Sequence, residues 1–198
     1  MSFPRALGFT ARWEGGFSDD ELDPGGRTNV GITEASYQDW LRNPEADVLD
    51  ITPDQVVSFY RGWWNRNGCV GYDQLDERMG ILMFDASVQH GGPMAIRFLQ
   101  RALGGLTDDG VFGRLTFNRM HDVYEATPQT LLDDLVSERK AHYIARSLAP
   151  GMIRWLHGWL GRVEDCGRVA DAHPADLDLV VRGAHDGAKL PMVLPGIP

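Results

Sequence analysis

The sequence has 198 residues and carries 28 acidic and 19 basic side chains, which gives a formal net charge of −9. Its 43% hydrophobic and 24% charged residues are close to the average of folded globular proteins, and they exclude disorder, collagen-like repeats and coiled coil as the main state. The length fits one domain, or one domain with an appendage, and is enough to bury a hydrophobic core. The acidic balance argues against general nucleic-acid binding, which favours a basic surface, but it permits a carbohydrate partner.

No stretch of the sequence resembles a membrane-spanning segment or a signal peptide. A transmembrane helix needs about 20 consecutive apolar residues. The N-terminal residues 1–16 also lack the apolar core of a secretory signal. We therefore expect no integral association with a membrane.

The cysteine and histidine patterns give no sign of a metal site or a cofactor. Cys69 and Cys166 are the two cysteines, and their spacing fits neither a zinc nor a redox motif. We predict free thiols, with a single long-range disulfide as the alternative, and we place Cys69 in a loop rich in glycine and asparagine. The six histidines lack the paired spacing of metal-binding motifs, so we expect neither a bound metal nor another cofactor.

The first predicted element is a helix over residues 3–14. Four residues share one face of it at helical spacing: Phe3, Leu7, Thr10 and Glu14. The two glycines at 15–16 favour a stop, since glycine readily adopts the left-handed conformation found at helix ends. Residues 18–33 are polar and rich in turn signals, which predicts a small β-hairpin or a three-stranded flap.

Further helices follow the flap along the chain. Thr33 is predicted to cap a short helix, and Thr52 and Gln55 match a capping box with Pro53 at the first helical position. Later helices are predicted over residues 75–90, 93–103, 113–125, 128–148 and 151–161. Beyond Arg162 the helical period is lost, which predicts an irregular extension over residues 164–198.

Glu14 is the residue whose position suggests chemistry. It ends a helix on the same face as apolar residues, so its carboxyl is expected at the boundary between core and solvent. Asp23 lies in a predicted turn nine residues later, and Thr28 begins a predicted strand. Cleavage of a glycosidic bond needs an acid for the leaving oxygen and a second group that directs water or stabilises the sugar cation. Alternatively, Glu14 is a solvated residue at a helix end and Asp23 a plain Asp-Pro turn residue.

Two neighbouring motifs carry a resemblance to a known family. The segment 13–17 reads WEGGF, and the segment 23–33 reads DPGGRTNVGIT. Together they resemble the signature of glycoside hydrolase family 108, in which E-G-G-[YF] precedes D-P-G-G-x-T-N-x-G-I-T. Five later stretches resemble that family's C-terminal region, often described as a predicted peptidoglycan-binding domain: residues 84–91, 99–104, 109–116, 138–143 and 158–162. The resemblance covers about residues 3–163.

This resemblance implies a fold and a domain organisation. Members of the family are peptidoglycan muramidases of bacteria and phages within the lysozyme superfamily. We therefore expect a mainly α, lysozyme-like α+β fold with a small β-hairpin after the first helix. Residues 1–80 would form a catalytic lobe, residues 81–163 a helical C-terminal lobe, and residues 164–198 the irregular extension.

The resemblance also implies roles for individual residues. Glu14 would be the general acid, while Asp23, helped by Thr28, would position the attacking water. Such an inverting reaction predicts a carboxyl separation of about 6.5–9.5 Å. Phe17 stands where tyrosine is commoner in the family, so a hydroxyl is missing there. Five further residues are predicted to contact the glycan or its substituents: Asn29, Tyr60, Trp63, Gln89 and His90.

The implied function is an N-acetylmuramidase that acts on peptidoglycan as a monomer. Two alternatives stay open: a lytic transglycosylase, which uses one carboxyl as both acid and base, and a non-catalytic wall-binding or virion protein. Without a signal peptide, the protein is expected to be made in the cytoplasm. It would reach the periplasm or cell wall through a holin-like pore, through a secretion system or within a phage particle. A phage or prophage endolysin fits these features.

Overall fold

Two helices begin at capping residues that the sequence predicts. Thr33 accepts a hydrogen bond from the backbone N–H of Ser36, and Thr52 and Gln55 form a reciprocal capping box. The computed structural model describes residues 2–19 and 26–172. These residues contain α1 (Phe3–Trp13), α2 (Glu34–Leu41), α3 (Pro53–Arg66), α4 (Cys69–Leu75), α5 (Glu77–His90), α6 (Gly92–Leu103), α7 (Arg114–Ala126), α8 (Pro128–Ser147) and α9 (Leu156–Asp171). They also contain β1 (Thr28–Asn29), β2 (Ile32–Thr33) and two 3₁₀ turns, Val48–Asp50 and Ile153–Trp155.

Helix α5 is the centre of the fold. All nine residues of the stretch 79–87 are buried, because α5 packs against α1, α4, α6, α8 and α9. A helix enclosed on every side is apolar all round rather than along one stripe, and the run GILMF within α5 agrees with this. Among the described residues, one hydrophobic cluster extends around α5 from Phe3 to Ala170.

The β-hairpin ends in a strained two-residue turn that α3 supports. Thr28 of β1 lies opposite Thr33 of β2 in an antiparallel pair. Between the strands, Val30 and Gly31 both have positive φ, +46° and +75°, as a type I′ turn requires. Such a φ is unfavourable for a β-branched valine. Tyr60 of α3 stabilises the turn by donating a hydrogen bond from its hydroxyl to the Val30 carbonyl at 2.9 Å.

The structure confirms the mainly α fold with a small hairpin after the first helix. A bridge between Ser18 and Thr28 adds a third segment beside the two strands. Cys69 and Cys166 are buried free thiols, as predicted. No helix within the ranges 2–19 and 26–172 combines the length and the apolar character needed to cross a bilayer.

The structure differs from the sequence prediction in three places. Cys69 begins α4 instead of lying in a loop, because residues 69–75 form a short helix ahead of α5. The boundary predicted between residues 80 and 81 falls inside α5, because the central helix serves both halves of the fold. The extension predicted to be irregular from residue 164 is helical as far as Asp171, since this turn of α9 buries apolar side chains. Residues 173–198 of that prediction lie outside the described residues.

Candidate active site

Glu14 follows the last residue of α1 and points at the hairpin. Its backbone N–H still bonds to the carbonyl of Thr10, and only 16% of its side chain is exposed. Two donors reach the same carboxyl oxygen, Oε1: Nε2 of Gln89 at 2.9 Å and Nη2 of Arg162 at 2.9 Å. Among the described residues, no donor contacts the other oxygen, Oε2. Oε2 is therefore the oxygen that is free to carry a proton.

The hairpin turn lies directly against this carboxyl. A Cβ added to Gly31 would come within 2.6 Å of Cγ and 2.7 Å of Oε2 of Glu14, well inside the contact distance of two heavy atoms. The φ of Gly31, +75°, is also one that glycine adopts without the steric cost paid by other residues. Glycine is thus required at this position both by φ and by the close approach of Glu14.

Arg162 connects Glu14 to a buried network of ion pairs. From α9, its Nη2 also lies 2.7 Å from Oδ1 of Asp85 in α5. Asp85 is fully buried, and it accepts further hydrogen bonds from Arg139 of α8 at 2.7 Å and from Thr10 at 3.2 Å. Asp85 is therefore paired with two guanidinium groups, and such pairing is the condition under which buried charges are tolerated. Within the described chain, no group of three or more histidine, cysteine, aspartate or glutamate side chains is placed to hold a metal ion.

Asp85 is an anion in this network. Burial alone raises the pKa of its carboxyl, but the charges and hydrogen bonds of Arg162 and Arg139 outweigh burial and hold the pKa at about 2, below the ordinary value of 3.8. Burial also opposes the charge on Arg162, yet Asp85 and Glu14 together raise its pKa. Asp85, Arg139 and Arg162 are therefore charged together, and removing Asp85 leaves both guanidinium groups without their shared partner.

Two aromatic rings border the network on the side of α8 and α9. The hydroxyl of Tyr143 donates to Oε1 of Gln89 at 3.3 Å, which orients the Gln89 amide with its NH₂ group toward Glu14. Trp159 stacks on Tyr143, with ring centroids 5.0 Å apart and an interplanar angle of 20°. Trp159 is half-buried, and the guanidinium of Arg146 lies 5.6 Å from its ring centroid.

The predicted catalytic residues lie partly outside the described chain. Thr28 is in β1 and partly exposed, and its hydroxyl donates to the carbonyl of Gly26 at 3.1 Å. Asp23 lies outside the described residues, and so does the carboxyl separation predicted from it. The roles of Asp23 and Thr28 stay predictions.

Asn29 and Tyr60, two predicted glycan contacts, are buried and support neighbouring backbone. Asn29 is 8% exposed, and its amide donates to the carbonyl of Val48 at 3.2 Å. Tyr60 is 2% exposed, and its hydroxyl donates a hydrogen bond to the Val30 carbonyl in the hairpin turn. Both side chains thus bond to backbone inside the protein, and their predicted contacts with a glycan stay predictions.

The other three predicted contacts lie at the α3–α5 side of the site and differ in role. Gln89 contacts Glu14 itself, so it positions the carboxyl. Trp63 is half-buried and donates its indole N–H to Oγ of Ser87 at 3.1 Å, which makes packing its observed role. His90 packs among aromatic rings, and burial lowers its pKa to about 3, so its imidazole is neutral near pH 7.

Sequence reasoning missed the three buried charges of the network. Asp85, Arg139 and Arg162 all lie in stretches that resemble the family's second half, but no role was predicted for them. The available signal was Asp85, a carboxylate inside the apolar run 81–88, ILMFDASV. A buried carboxylate requires a cation, but the sequence does not show which arginine is near.

The part of the chain that contains Glu14 matches the model of a known protein family. Residues 7–91 match the family model described as Glycosyl hydrolase 108, which confirms the resemblance carried by the two N-terminal motifs. Among solved structures, the chain is similar to the structure of Brucella abortus SagA, with a TM-score of 0.70 and 26% sequence identity, covering 85% of this chain and 93% of that one. No curated protein matches the chain. The matched residues include Glu14 and Asp85, whereas Arg139 and Arg162 lie beyond them.

Proposed function

We propose that this chain, a glycoside hydrolase by its match to family 108, is a peptidoglycan hydrolase of the lysozyme type. Its reaction would be cleavage of the β-1,4 bond between N-acetylmuramic acid and N-acetylglucosamine, with Glu14 as general acid. The similarity to the structure of Brucella abortus SagA over most of both chains supports a shared architecture for this activity.

The proposal rests on how the two oxygens of the Glu14 carboxyl are bonded. A general acid must be held in a fixed orientation and still keep one oxygen free to deliver its proton. Gln89 and Arg162 both bind Oε1, so Oε2 is left free beside the hairpin. The largely buried side chain limits competing contacts with water.

The two donors that bind Oε1, Gln89 and Arg162, also help when Glu14 gives up its proton. As Oε2 of Glu14 transfers its proton to the glycosidic oxygen, the C–O bond to the leaving sugar breaks and Glu14 becomes a carboxylate. Gln89 and Arg162 then stabilise the new charge, since hydrogen bonds to a charged acceptor are stronger than those to a neutral one. Such preorganised donors favour the transition state over the ground state.

A second group is needed to direct water at the sugar carbon. Asp23 takes this role in the proposal, with Thr28 of β1 beside it, and the reaction inverts the configuration. This scheme requires a separation of about 6.5–9.5 Å between the carboxyl groups of Glu14 and Asp23. Trp159 is the aromatic group that we propose for stacking on a sugar, in place of the buried Tyr60.

Replacing Glu14 by glutamine tests the proposal directly. Glu14→Gln keeps the shape of the side chain and removes the acid, so we expect the same melting behaviour and loss of nearly all turbidity clearing of purified cell walls. The matched control is Glu45→Gln, which makes the same change at an exposed glutamate and should leave clearing unchanged. Full clearing by Glu14→Gln would rule out the assignment.

The products separate the proposal from its two alternatives. A hydrolase releases fragments with reducing muramic acid ends, whereas a lytic transglycosylase leaves 1,6-anhydromuramoyl ends, 18 Da lighter by loss of one water. Mass spectrometry of the released fragments distinguishes them. A non-catalytic wall-binding or virion protein would release no fragments at all.

We further propose that the protein is a phage or prophage endolysin that works as a monomer. It would be made in the cytoplasm and would reach peptidoglycan through a holin-like pore or a secretion system. A holin or spanin gene beside its own gene would support the endolysin role, whereas a neighbourhood of secretion genes would support release by a secretion system and overturn the endolysin role.

A further inference from the structure

The segment 139–163 differs in charge from the rest of the protein. It contains five basic residues, Arg139, Lys140, Arg146, Arg154 and Arg162, and no aspartate or glutamate, although the protein's net charge is −9. Arg139 and Arg162 are used in the buried network, and Lys140 pairs with Glu164. Arg146 and Arg154 are exposed, and neither forms an ion pair with the part of the chain that the structure describes.

The same segment exposes large apolar side chains where α8 turns into α9. Ile144 and Leu148 lie one helical turn apart, and Ile153 and Trp155 follow in the 3₁₀ turn. Their exposed fractions are 49%, 82%, 63% and 53%. The guanidinium of Arg154 lies 5.1 Å from the ring centroid of Trp155. Single exposed apolar residues are common on protein surfaces, whereas a group of them marks an interaction site.

We propose that this 144–155 surface docks onto an anionic phospholipid membrane. Tryptophan belongs to the interface between lipid headgroups and acyl chains, where aliphatic side chains enter the apolar layer. Arg146 and Arg154 would contact the anionic headgroups. A polysaccharide is a poorer partner, because it would contact Trp155 and the arginines but leave the aliphatic side chains of Leu148 and Ile153 exposed to water.

The charge distribution makes the membrane attraction local. An acidic protein is repelled by an anionic surface at long range, but salt screens this repulsion beyond a Debye length of about 8 Å. At closer range, the interaction energy depends on the groups that face the lipid. The stretch without acidic residues is therefore the part of the chain best suited to approach such a surface.

Sedimentation with lipid vesicles tests the proposal. We expect the protein to bind vesicles of equal parts phosphatidylglycerol and phosphatidylcholine and not to bind vesicles of phosphatidylcholine alone. Added sodium chloride should release the protein from the anionic vesicles. Leu148→Ser combined with Ile153→Ser should weaken binding at least about tenfold, since two apolar side chains are lost. Arg146→Gln and Arg154→Gln should each weaken it about fivefold.

A matched control places the same change in an acidic stretch. Leu41→Ser combined with Leu49→Ser alters two exposed apolar side chains, 37% and 49% exposed, beside Glu45, Asp47 and Asp50, and should leave vesicle binding and wall clearing unchanged. Three results would overturn the proposal. They are the absence of binding to the anionic vesicles, an equal loss in both double variants, and a Leu148/Ile153 variant that alters melting or self-association while vesicle binding stays the same.

Discussion

Asp85 and Gln100 occupy similar places in the sequence but support different parts of the molecule. Each is a polar residue inside an apolar helix, and each is almost fully buried. The amide of Gln100 donates to Oδ1 of Asp109 at 2.8 Å and accepts from the N–H of Gly110 at 2.9 Å. Gln100 thus anchors a loop only ten residues away, whereas Asp85 binds guanidinium groups that come from two distant helices.

The difference between the two regions is one of charge. A neutral amide can be satisfied by nearby backbone and side-chain groups, so Gln100 fixes the adjoining loop and the start of α7 through Thr116. A buried carboxylate needs full positive charges, and one of those supplied to Asp85, on Arg162, also reaches Glu14. The charged region therefore connects the core to a reactive group, and the neutral region stays structural. Functional sites commonly have such coupled buried charges.

The largest effect is expected at Asp85. Asp85→Asn keeps the shape but leaves Arg139 and Arg162 without their shared anion, which should lower the free energy of unfolding by about 3–5 kcal/mol. Among the described residues, Glu14 would then be the one carboxyl group left beside Arg162, so the rate per folded molecule should fall as well. Urea unfolding and wall clearing measure the two effects. Unchanged stability would show that the network is not charged as described.

A glycine pair compares the two regions directly. Gly31→Ala places a Cβ against Glu14 and should cost about 2–4 kcal/mol, through the unfavourable φ and the collision, with a marked loss of activity. Gly105 has a similar φ of +72°, but nothing lies within 4 Å of an added Cβ. Gly105→Ala should therefore cost only about 1–2 kcal/mol and keep the specific activity. Equal activity losses would contradict the role of the hairpin contact.

Acid should weaken the charged region in particular. The pKa of Asp85 is held at about 2 in the folded protein, below its ordinary 3.8. Because the pKa is lowered, the stability that it contributes, about 2 kcal/mol, is complete above pH ~4 and is lost as the pH falls toward 2. The unfolding free energy of the wild type should drop more steeply in this range than that of Asp85→Asn. Parallel curves would contradict the prediction.

A smaller and purely structural effect is expected at Gln100. Gln100→Leu keeps the volume but leaves the N–H of Gly110 unsatisfied, which should cost about 1–3 kcal/mol. The rate of wall clearing per folded molecule should stay the same, because no contact of Gln100 leads to Glu14. A specific loss of activity in this variant would remove the contrast between the two regions.

The smallest effect is expected for the tyrosines that bond to neighbouring elements. Tyr60→Phe removes the hydrogen bond to the Val30 carbonyl and should cost about 1 kcal/mol, with a lower rate because the hairpin turn beside Glu14 is loosened. Tyr37→Phe is the control, since it removes a hydrogen bond to Gln55 away from the site. It should cost a similar free energy and leave the rate unchanged.

Local signals explain what the sequence by itself determined. The helical period from Phe3 to Glu14, the caps at Thr33 and Thr52 and the turn residues of the hairpin all act over a few residues, so the pattern predicts these elements and the place of Glu14. The same signals did not show that residues 69–75 form a further short helix, because the glycines and asparagines around Cys69 favour a loop.

The tertiary structure alone decided how the site is built. Asn29 and Tyr60 turned out to be internal supports, and Asp85, Arg139 and Arg162 turned out to form the charged network. Each of these outcomes depends on which distant helices pack against α5, and no local pattern records that. A buried charge requires a partner of opposite charge. Only the folded chain brings that partner within hydrogen-bond distance.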